Sequence, residues 1–272
     1  MKIAVSAGLS LAFTLIAVRA MWALAKAWKL RRRNFRGDSI PTGFGFAIVL
    51  VAAPVYAAML GAGAQRTLTT AYLAAVIGFG ALGLLDDIHG TRDVGGFKGH
   101  IGLLRKGRLS TGLLKALGGG VLGLALGFMI SPSDPKVGIA NGILIALAAN
   151  TLNLLDLRPG RAVSCFWAGV LALAATHFRS QSDWQELVPV IVPAIWLTGL
   201  DRSARVMLGD AGSNVLGAAL GLALACGLGL PAKLALIAVM VGVNVYSEKH
   251  SISKLIEHNR LLRGLDRLLG VR

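Results

Sequence analysis

The sequence predicts an all-α fold: a polytopic bundle of about nine transmembrane helices, N-terminus outside and C-terminus inside. Three observations predict it. Of the 272 residues 55% are hydrophobic and only 15% are charged, against about 25% charged in a soluble domain, and the mean hydropathy is +0.67. The apolar residues fall in charge-free runs at 3–18, 40–65, 67–85, 116–133, 137–155, 162–178, 187–200, 211–232 and 234–247, and a spanning helix needs about 17–25 apolar residues. Basic residues gather in alternate connections between these runs, as the positive-inside rule requires. The runs are continuously apolar rather than alternating, which disfavours a β-barrel. The 35 glycines suit helices that approach closely in lipid.

Taken in order, the first run is followed by a basic cluster from Lys26 to Arg36 and not by a small-residue cleavage site, so it reads as a retained anchor. Ser39-Ile40-Pro41-Thr42-Gly43-Phe44-Gly45 leads into the second span, and the third ends in Asp86-Asp87. The fifth ends in a polar stretch from Asn150 to Arg161, and Leu208-Gly209-Asp210-Ala211-Gly212-Ser213-Asn214 opens the eighth. The runs 187–200 and 234–247 are short, which predicts tilted, broken or flank-extended helices. Residues 1–247 form the transmembrane domain, and 248–272 a basic tail of the same domain. In that tail Ile252, Leu255, Ile256, Leu262, Leu265, Leu268 and Leu269 recur at helical spacing. This predicts an amphipathic helix lying either on the membrane surface or on the protein's own loops. Cys165 and Cys226 fall inside spans, where cysteine packs as a small apolar residue.

With the N-terminus outside, only Lys2, Arg66, Lys136, Arg179 and Lys233 of the 28 basic residues lie on the outer side, with Arg19 near the inner end of the first span. The net charge of +15 therefore follows topology and suits anionic headgroups and substrates; no nucleic-acid partner is implied. Of the thirteen acidic residues all but Asp134, Asp183 and Glu186 fall on the inner side, a bias that topology does not require. A surface with both signs of charge at the mouth of a helix bundle is where a metal–phosphate site can be built.

Asn150, Asn153 and Asp156 are spaced to share one helix stripe at the end of an apolar span, where buried amides need partners. Asp210 with Gly212 and Ser213 opens a helix whose N-terminal amides favour anions. A carboxylate there can hold Mg²⁺, which takes one or two carboxylates plus phosphate oxygens, with Mn²⁺ as the alternative ion. Asp86 and Asp87 add carboxylates nearby, and their mutual repulsion is tolerable beside a cation. Each feature has a plainer reading: Asp210 as a helix N-cap, Asp86-Asp87 as solvated acids, the asparagines as interhelical hydrogen bonds. His89, His100, His250 and His258 show no metal-ligand spacing and read as solvated or phosphate-facing; His177 reads as structural. The conjunction of four such stretches on one face favours a site.

These residues resemble the polyprenyl-phosphate N-acetylhexosamine-1-phosphate transferase superfamily (the MraY and WecA types, glycosyltransferase 4 family). Asp86-Asp87 ends one span, Asn150-Thr-Leu-Asn153-Leu-Leu-Asp156 ends another, Gly209-Asp210-Ala211-Gly212-Ser213 opens a third, and Ile40-Pro41-Thr42-Gly43-Phe44-Gly45 is similar to a segment of the family's first inner loop. The resemblance covers about Ile40 to Ser247 in the same order. It implies a Mg²⁺-dependent transferase at the cytoplasmic face of the plasma membrane. A polyprenyl (undecaprenyl) phosphate attacks a UDP-N-acetylhexosamine of the UDP-GlcNAc or UDP-MurNAc-peptide type and releases UMP, for cell-wall or surface-glycan synthesis. It implies catalytic roles for Asp86, Asp87 and Asp210, with Asp210 holding the metal. Substrate contacts would come from Lys115, Asn150, Asn153, Asp156, Arg161, Gly212, Ser213, Lys249 and His250. A homodimer is compatible with it. Three departures stand out: Pro159 replaces the second aspartate of the third motif, with Arg158 and Arg161 beside it; only His250 remains of a late histidine cluster, flanked by Lys249 and Lys254; and no tenth span follows. A catalytically degenerate homologue that binds lipid phosphate or a partner, and a cation-coupled transporter, are the alternatives. Against the transporter, no acid sits at mid-membrane.

Overall fold

A computed structural model describes residues 3–90, 110–176 and 184–269. Arg92, Asp93, Lys98, His100, Arg105, Lys106, Arg108, His177, Arg179 and Asp183 lie outside the described residues. The described chain forms eleven helices. In order they are α1 (Ile3–Ala27), α2 (Phe46–Gly61), α3 (Arg66–His89), α4 (Thr111–Ile130), α5 (Pro135–Leu155), α6 (Arg161–Thr176), α7 (Val188–Arg202), α8 (Gly209–Gly227), α9 (Leu230–Lys249), α10 (Ile252–His258) and α11 (Arg260–Leu269). The helices α1 to α9 follow the charge-free runs one for one. Five of them, α1, α3, α4, α5 and α9, are long and apolar enough to cross a membrane. At 1.5 Å per residue the 15 residues of α7 reach about 22 Å, short of a hydrocarbon layer of about 30 Å.

The expectation of helices alone needs one correction. Between α1 and α2 lies a short antiparallel hairpin, β1 (Arg31–Arg33) and β2 (Ser39–Pro41), with Arg32 opposite Ile40. Asn34 makes its turn: its side-chain oxygen accepts from the backbone N–H groups of Arg36 (2.8 Å) and Asp38 (2.9 Å).

The bundle is organised around α8. Every residue from Ala211 to Ala223 is buried, so this helix has no outward face; a helix apolar all round belongs in a core. It packs on α3, α5, α6 and α2. Its small residues allow this: Gly217 lies against the backbone of Ala148 and Ala149 in α5. The peripheral helices instead expose large apolar residues such as Ile16, Val121, Leu171, Ile195 and Val239. An apolar outside around a small-residue inside is the arrangement of a bundle solvated by lipid. Two helix starts carry side-chain caps of their own: Asp134 accepts from the N–H of Lys136 (2.9 Å) and Val137 (3.1 Å) ahead of α5, and Ser110 accepts from Leu113 (3.2 Å) ahead of α4.

At one end of the bundle Glu186 is buried rather than solvated. Thr69 donates to its carboxylate (2.8 Å) and Tyr56 donates to its carbonyl, which ties α2 and α3 to the start of α7. The other end carries Asp86, Asn153 and Asp210. There α3 approaches α8 at Gly83, where a Cβ would stand 2.6 Å from Ala211 Cα. Gly83→Ala is therefore expected to force the two helices apart and cost about 1–3 kcal/mol. Thermal unfolding of the detergent-solubilised protein reads this directly, and an unchanged midpoint would refute the close approach.

Candidate functional site

The site is built on the start of α8. Gly209 sits at φ +74°, a left-handed conformation that costs a glycine little, and it turns the chain into the helix. The loop from β2 to α2 braces this turn: Met207 N–H donates to Pro41 O (2.7 Å), Phe44 N–H to Met207 O (3.1 Å) and Gly45 N–H to Leu208 O (2.8 Å). The helix has no cap of its own; Leu208 at the N-cap position makes no side-chain bond. The cap comes from α3. Asp87, only 5% exposed, accepts from the N–H groups of Asp210 (3.1 Å) and Ala211 (2.9 Å), where the helix dipole favours an anion.

Successive helical residues point about 100° apart, so the adjacent aspartates of α3 diverge. Asp87 faces the start of α8, and Asp86 faces Lys115 in the second turn of α4. Lys115 Nζ donates to Asp86 Oδ2 at 2.9 Å and also to Asp210 Oδ2. Asn153 completes the cluster. With its amide nitrogen toward Ser213 Oγ and Asp210 Oδ1 (3.0 Å each) and its oxygen toward Lys115 Nζ (2.9 Å), all three contacts are satisfied. Ser213 also donates back to Gly209 O at 3.0 Å. Four segments far apart in sequence thus meet around one ammonium group.

This cluster borders an open cavity of about 360 Å³ lined by Arg32, Thr42, Asp86, Asp87, Asn153, Asp156, Asp210 and His250 among others. That volume falls in the range of small-molecule sites. Arg32 reaches the C-terminal end of α3 and donates to the carbonyls of Asp87 (3.1 Å) and Gly90 (3.4 Å). Asp201, 2% exposed, braces the site from beneath. Its carboxylate accepts from Gly160 N–H (2.8 Å) and Leu208 N–H (3.2 Å), so it staples the loop that follows Asp156 to the loop that precedes Asp210. Asp156 follows α5. Burial, and then the like charges of Asp201, Asp210 and Asp87, lift its carboxyl well above the ordinary carboxylate range. Five carboxylates therefore gather at this end of the bundle. Among the described residues no group of three or more His, Cys, Asp or Glu side chains is arranged around a metal centre.

The residues singled out from sequence land differently. Asp86, Lys115, Asn153, Ser213 and Asp210 come together, and Asp156 and His250 line the same cavity. His250 stacks on Tyr246 with ring centroids 4.7 Å apart. Asp87 borders the cavity, but its carboxylate is committed to α8. Asp210 is not its own helix's cap, so its carboxylate stays available to Lys115. Of the first amides of α8, Asp87 takes those of Asp210 and Ala211. Gly212 packs against Gly45 and Leu208. Asn150 leaves the cavity and donates to Asn244 of α9, which in turn donates to Thr151 Oγ1 at 3.1 Å. Arg161 turns away to Asp266 of α11, with bonds of 2.6 and 3.0 Å, and donates to Ser253 Oγ at 2.8 Å. Lys249 is exposed at the end of α9, outside the cavity lining.

Reasoning from sequence passed over Arg32, Thr42, Asp201 and Asn244. Asn244 had a signal, being a lone amide within an apolar run. Arg32 had none, since nothing in a run of three arginines marks the middle one. No protein-family model matches the chain, and no curated protein matches it.

Two outcomes follow from this geometry. Asp201→Ala leaves two backbone N–H groups without an acceptor. It should cost about 1–3 kcal/mol and raise amide exchange at Gly160 and Leu208 above that of the bundle core. For Asp156 the sign runs with the raised carboxyl. The unfolded chain ionises first as pH rises, so this residue lowers stability between the ordinary carboxylate range and its raised folded value. Asp156→Asn should therefore unfold at a higher temperature than the parent at about pH 8, and show little gain at about pH 4.

Proposed function

We propose that the chain transfers a sugar-1-phosphate from a UDP-N-acetylhexosamine to a polyprenyl phosphate, at the cytoplasmic face of the plasma membrane, with release of UMP. The observation that carries this reading is the cluster of Lys115 with Asp86, Asn153 and Asp210, the last three of which line one cavity at the end of an apolar bundle. Phosphoryl transfer asks a protein chiefly for positioning and charge neutralisation, and these residues offer both. The order of the motifs along the chain supports the same reading. So does the positive-inside distribution, under which the cavity would open on the side where a nucleotide-sugar is found.

In the reaction an oxygen of the lipid phosphate forms a bond to the β-phosphorus of the donor, and the bond from that phosphorus to the oxygen bridging it to the α-phosphate breaks. UMP takes that oxygen and its electron pair. A phosphate monoester is already mostly ionised near neutral pH, so Asp86 has little proton to remove; its part is to orient the acceptor through Lys115. Lys115 holds its ammonium where phosphate oxygens of both substrates would meet. Asn153 fixes both Lys115 and Asp210, and Arg32 and His250 border the cavity with further donors. Asp87 holds α8, and with it Asp210, in place.

The residues present fit a divalent cation. Asp86 and Asp210 are the carboxylates of the cluster left free of backbone capping, and Lys115 already stands between them as a positive group. Asp210, with Asp86 beside it, would hold Mg²⁺, which supplies neutralisation of the charge on the diphosphate.

The test is UMP release by the purified protein with undecaprenyl phosphate, Mg²⁺ and a panel of UDP-N-acetylhexosamines that includes the muramoyl-peptide form. One donor should be used. Asp210→Asn and Lys115→Met should each lower turnover on the order of 10²-fold or more, and chelation should abolish it. Folded protein that releases no UMP with any donor, yet binds undecaprenyl phosphate, would replace this reading with that of a lipid-phosphate-binding homologue.

A further inference from the structure

The C-terminal helix α11 is placed the wrong way round for a helix in water. A surface helix of a soluble protein buries its apolar face and exposes its charges. Here Leu261 and Leu268 are 81% and 74% exposed, and Leu265 is exposed with them, whereas Asp266 is 9% exposed. On a helical projection these leucines form one stripe, and Arg260, Arg263 and Arg267 lie on the opposite face. Asp266 turns inward and pairs with Arg161 at the start of α6, and the half-exposed Glu257 pairs with Arg158 at 3.5 Å. Arg202, at the end of α7, donates to Leu268 O at 2.8 Å. The helix is thereby pinned across the start of α6 and the end of α7.

We propose that α11 is an in-plane anchor on an anionic lipid surface, with its leucines at the acyl boundary and its arginines among the headgroups. The chemistry fits an interface of that kind: an apolar stripe for burial in the headgroup–acyl boundary and guanidinium groups for anionic lipid. The long arginine stems let the charges rise to the headgroup level while the backbone lies flat. The placement has a consequence for the cavity. His250, Ser251 and Ile252, the residues leading into and starting α10, line it, so lipid that holds α11 also holds one cavity wall. This rests on the membrane-spanning reading of the bundle and is independent of the chemistry proposed for the site.

The experiment uses the full chain in nanodiscs of zwitterionic lipid, with and without phosphatidylglycerol. Cys165→Ala and Cys226→Ala remove the native thiols. Single nitroxide labels go at Leu261→Cys, Leu268→Cys, Arg267→Cys and, on the outer surface of α4, Val121→Cys. Labels at 121, 261 and 268 are expected to collide more with oxygen than with an aqueous nickel chelate, and the label at 267 the reverse. The oxygen-to-nickel ratio at 268 should rise severalfold when the anionic lipid is added. An apolar label at 121 with aqueous labels at 261 and 268 overturns the anchor alone; an aqueous label at 121 overturns the membrane-spanning reading with it. Exclusion of both reagents at 261 and 268 assigns the stripe to a protein partner or a second copy instead. A ratio at 268 indifferent to phosphatidylglycerol overturns the anionic preference.

Discussion

Asp87 at the start of α8 is the contact on which the rest of the site depends. A helix that begins inside a bundle leaves its first N–H groups without partners, and α8 lacks a capping side chain of its own. Asp87 supplies the missing acceptor from α3, and the fixed dipole of the helix makes a buried carboxylate tolerable there. One interaction thus sets three things: the axial position of α8 against α3, the direction of the Asp210 side chain, and the release of Asp210 from capping. The loop from Pro41 to Gly45 braces the same turn from the other side. A glycine is needed at 83 because the backbones of α3 and α8 come too close for a Cβ, and at 209 because the turn is left-handed and a Cβ there would meet the Asp87 carboxylate and Gly43 N.

Held this way, five carboxylates of the described residues, Asp86, Asp87, Asp156, Asp201 and Asp210, lie close together at this end of the bundle. Lys115 bridges Asp86 and Asp210, and Arg32 caps the carbonyls that end α3. Asp201 is satisfied by two backbone N–H groups, so it binds loops together without a counter-charge. Burial first, and then the like charges around it, hold the Asp156 carboxyl well above the ordinary carboxylate range. Carboxylates crowded in a half-open cavity make a place where positive charge lowers the free energy of the whole.

Packing and chemistry are divided between helices. The central helix is built from small residues, so it can be surrounded on all sides, and the peripheral helices show their large apolar residues outward. The short helices α2, α6 and α7 fill space between longer neighbours. Asn150, Thr151 and Asn244 join α5 to α9 by hydrogen bonds rather than by apolar burial, the kind of link that holds helices where lipid provides no hydrophobic drive between them.

Much of this was legible along the chain. Hydropathy marks the helices because each must satisfy its own backbone in an apolar surround, and this holds residue by residue without knowledge of neighbours. The same local logic marked Asp86, Asn153, Asp156 and Asp210 as polar groups at helix ends. What the chain could not say is which way each side chain turns. Asp86 and Asp87 are equivalent in sequence, and only the packing of α3 on α8 separates a group facing Lys115 from a buried cap. Asn150 and Asn153 share a stripe, and only the arrival of Asn244 from α9 draws one of them away. Arg161 and Asp266 are separated by more than a hundred residues of sequence, and no local pattern joins them. Periodicity determined the elements; the contacts among distant helices decided which charges meet, because a carboxylate takes its role from the group it faces.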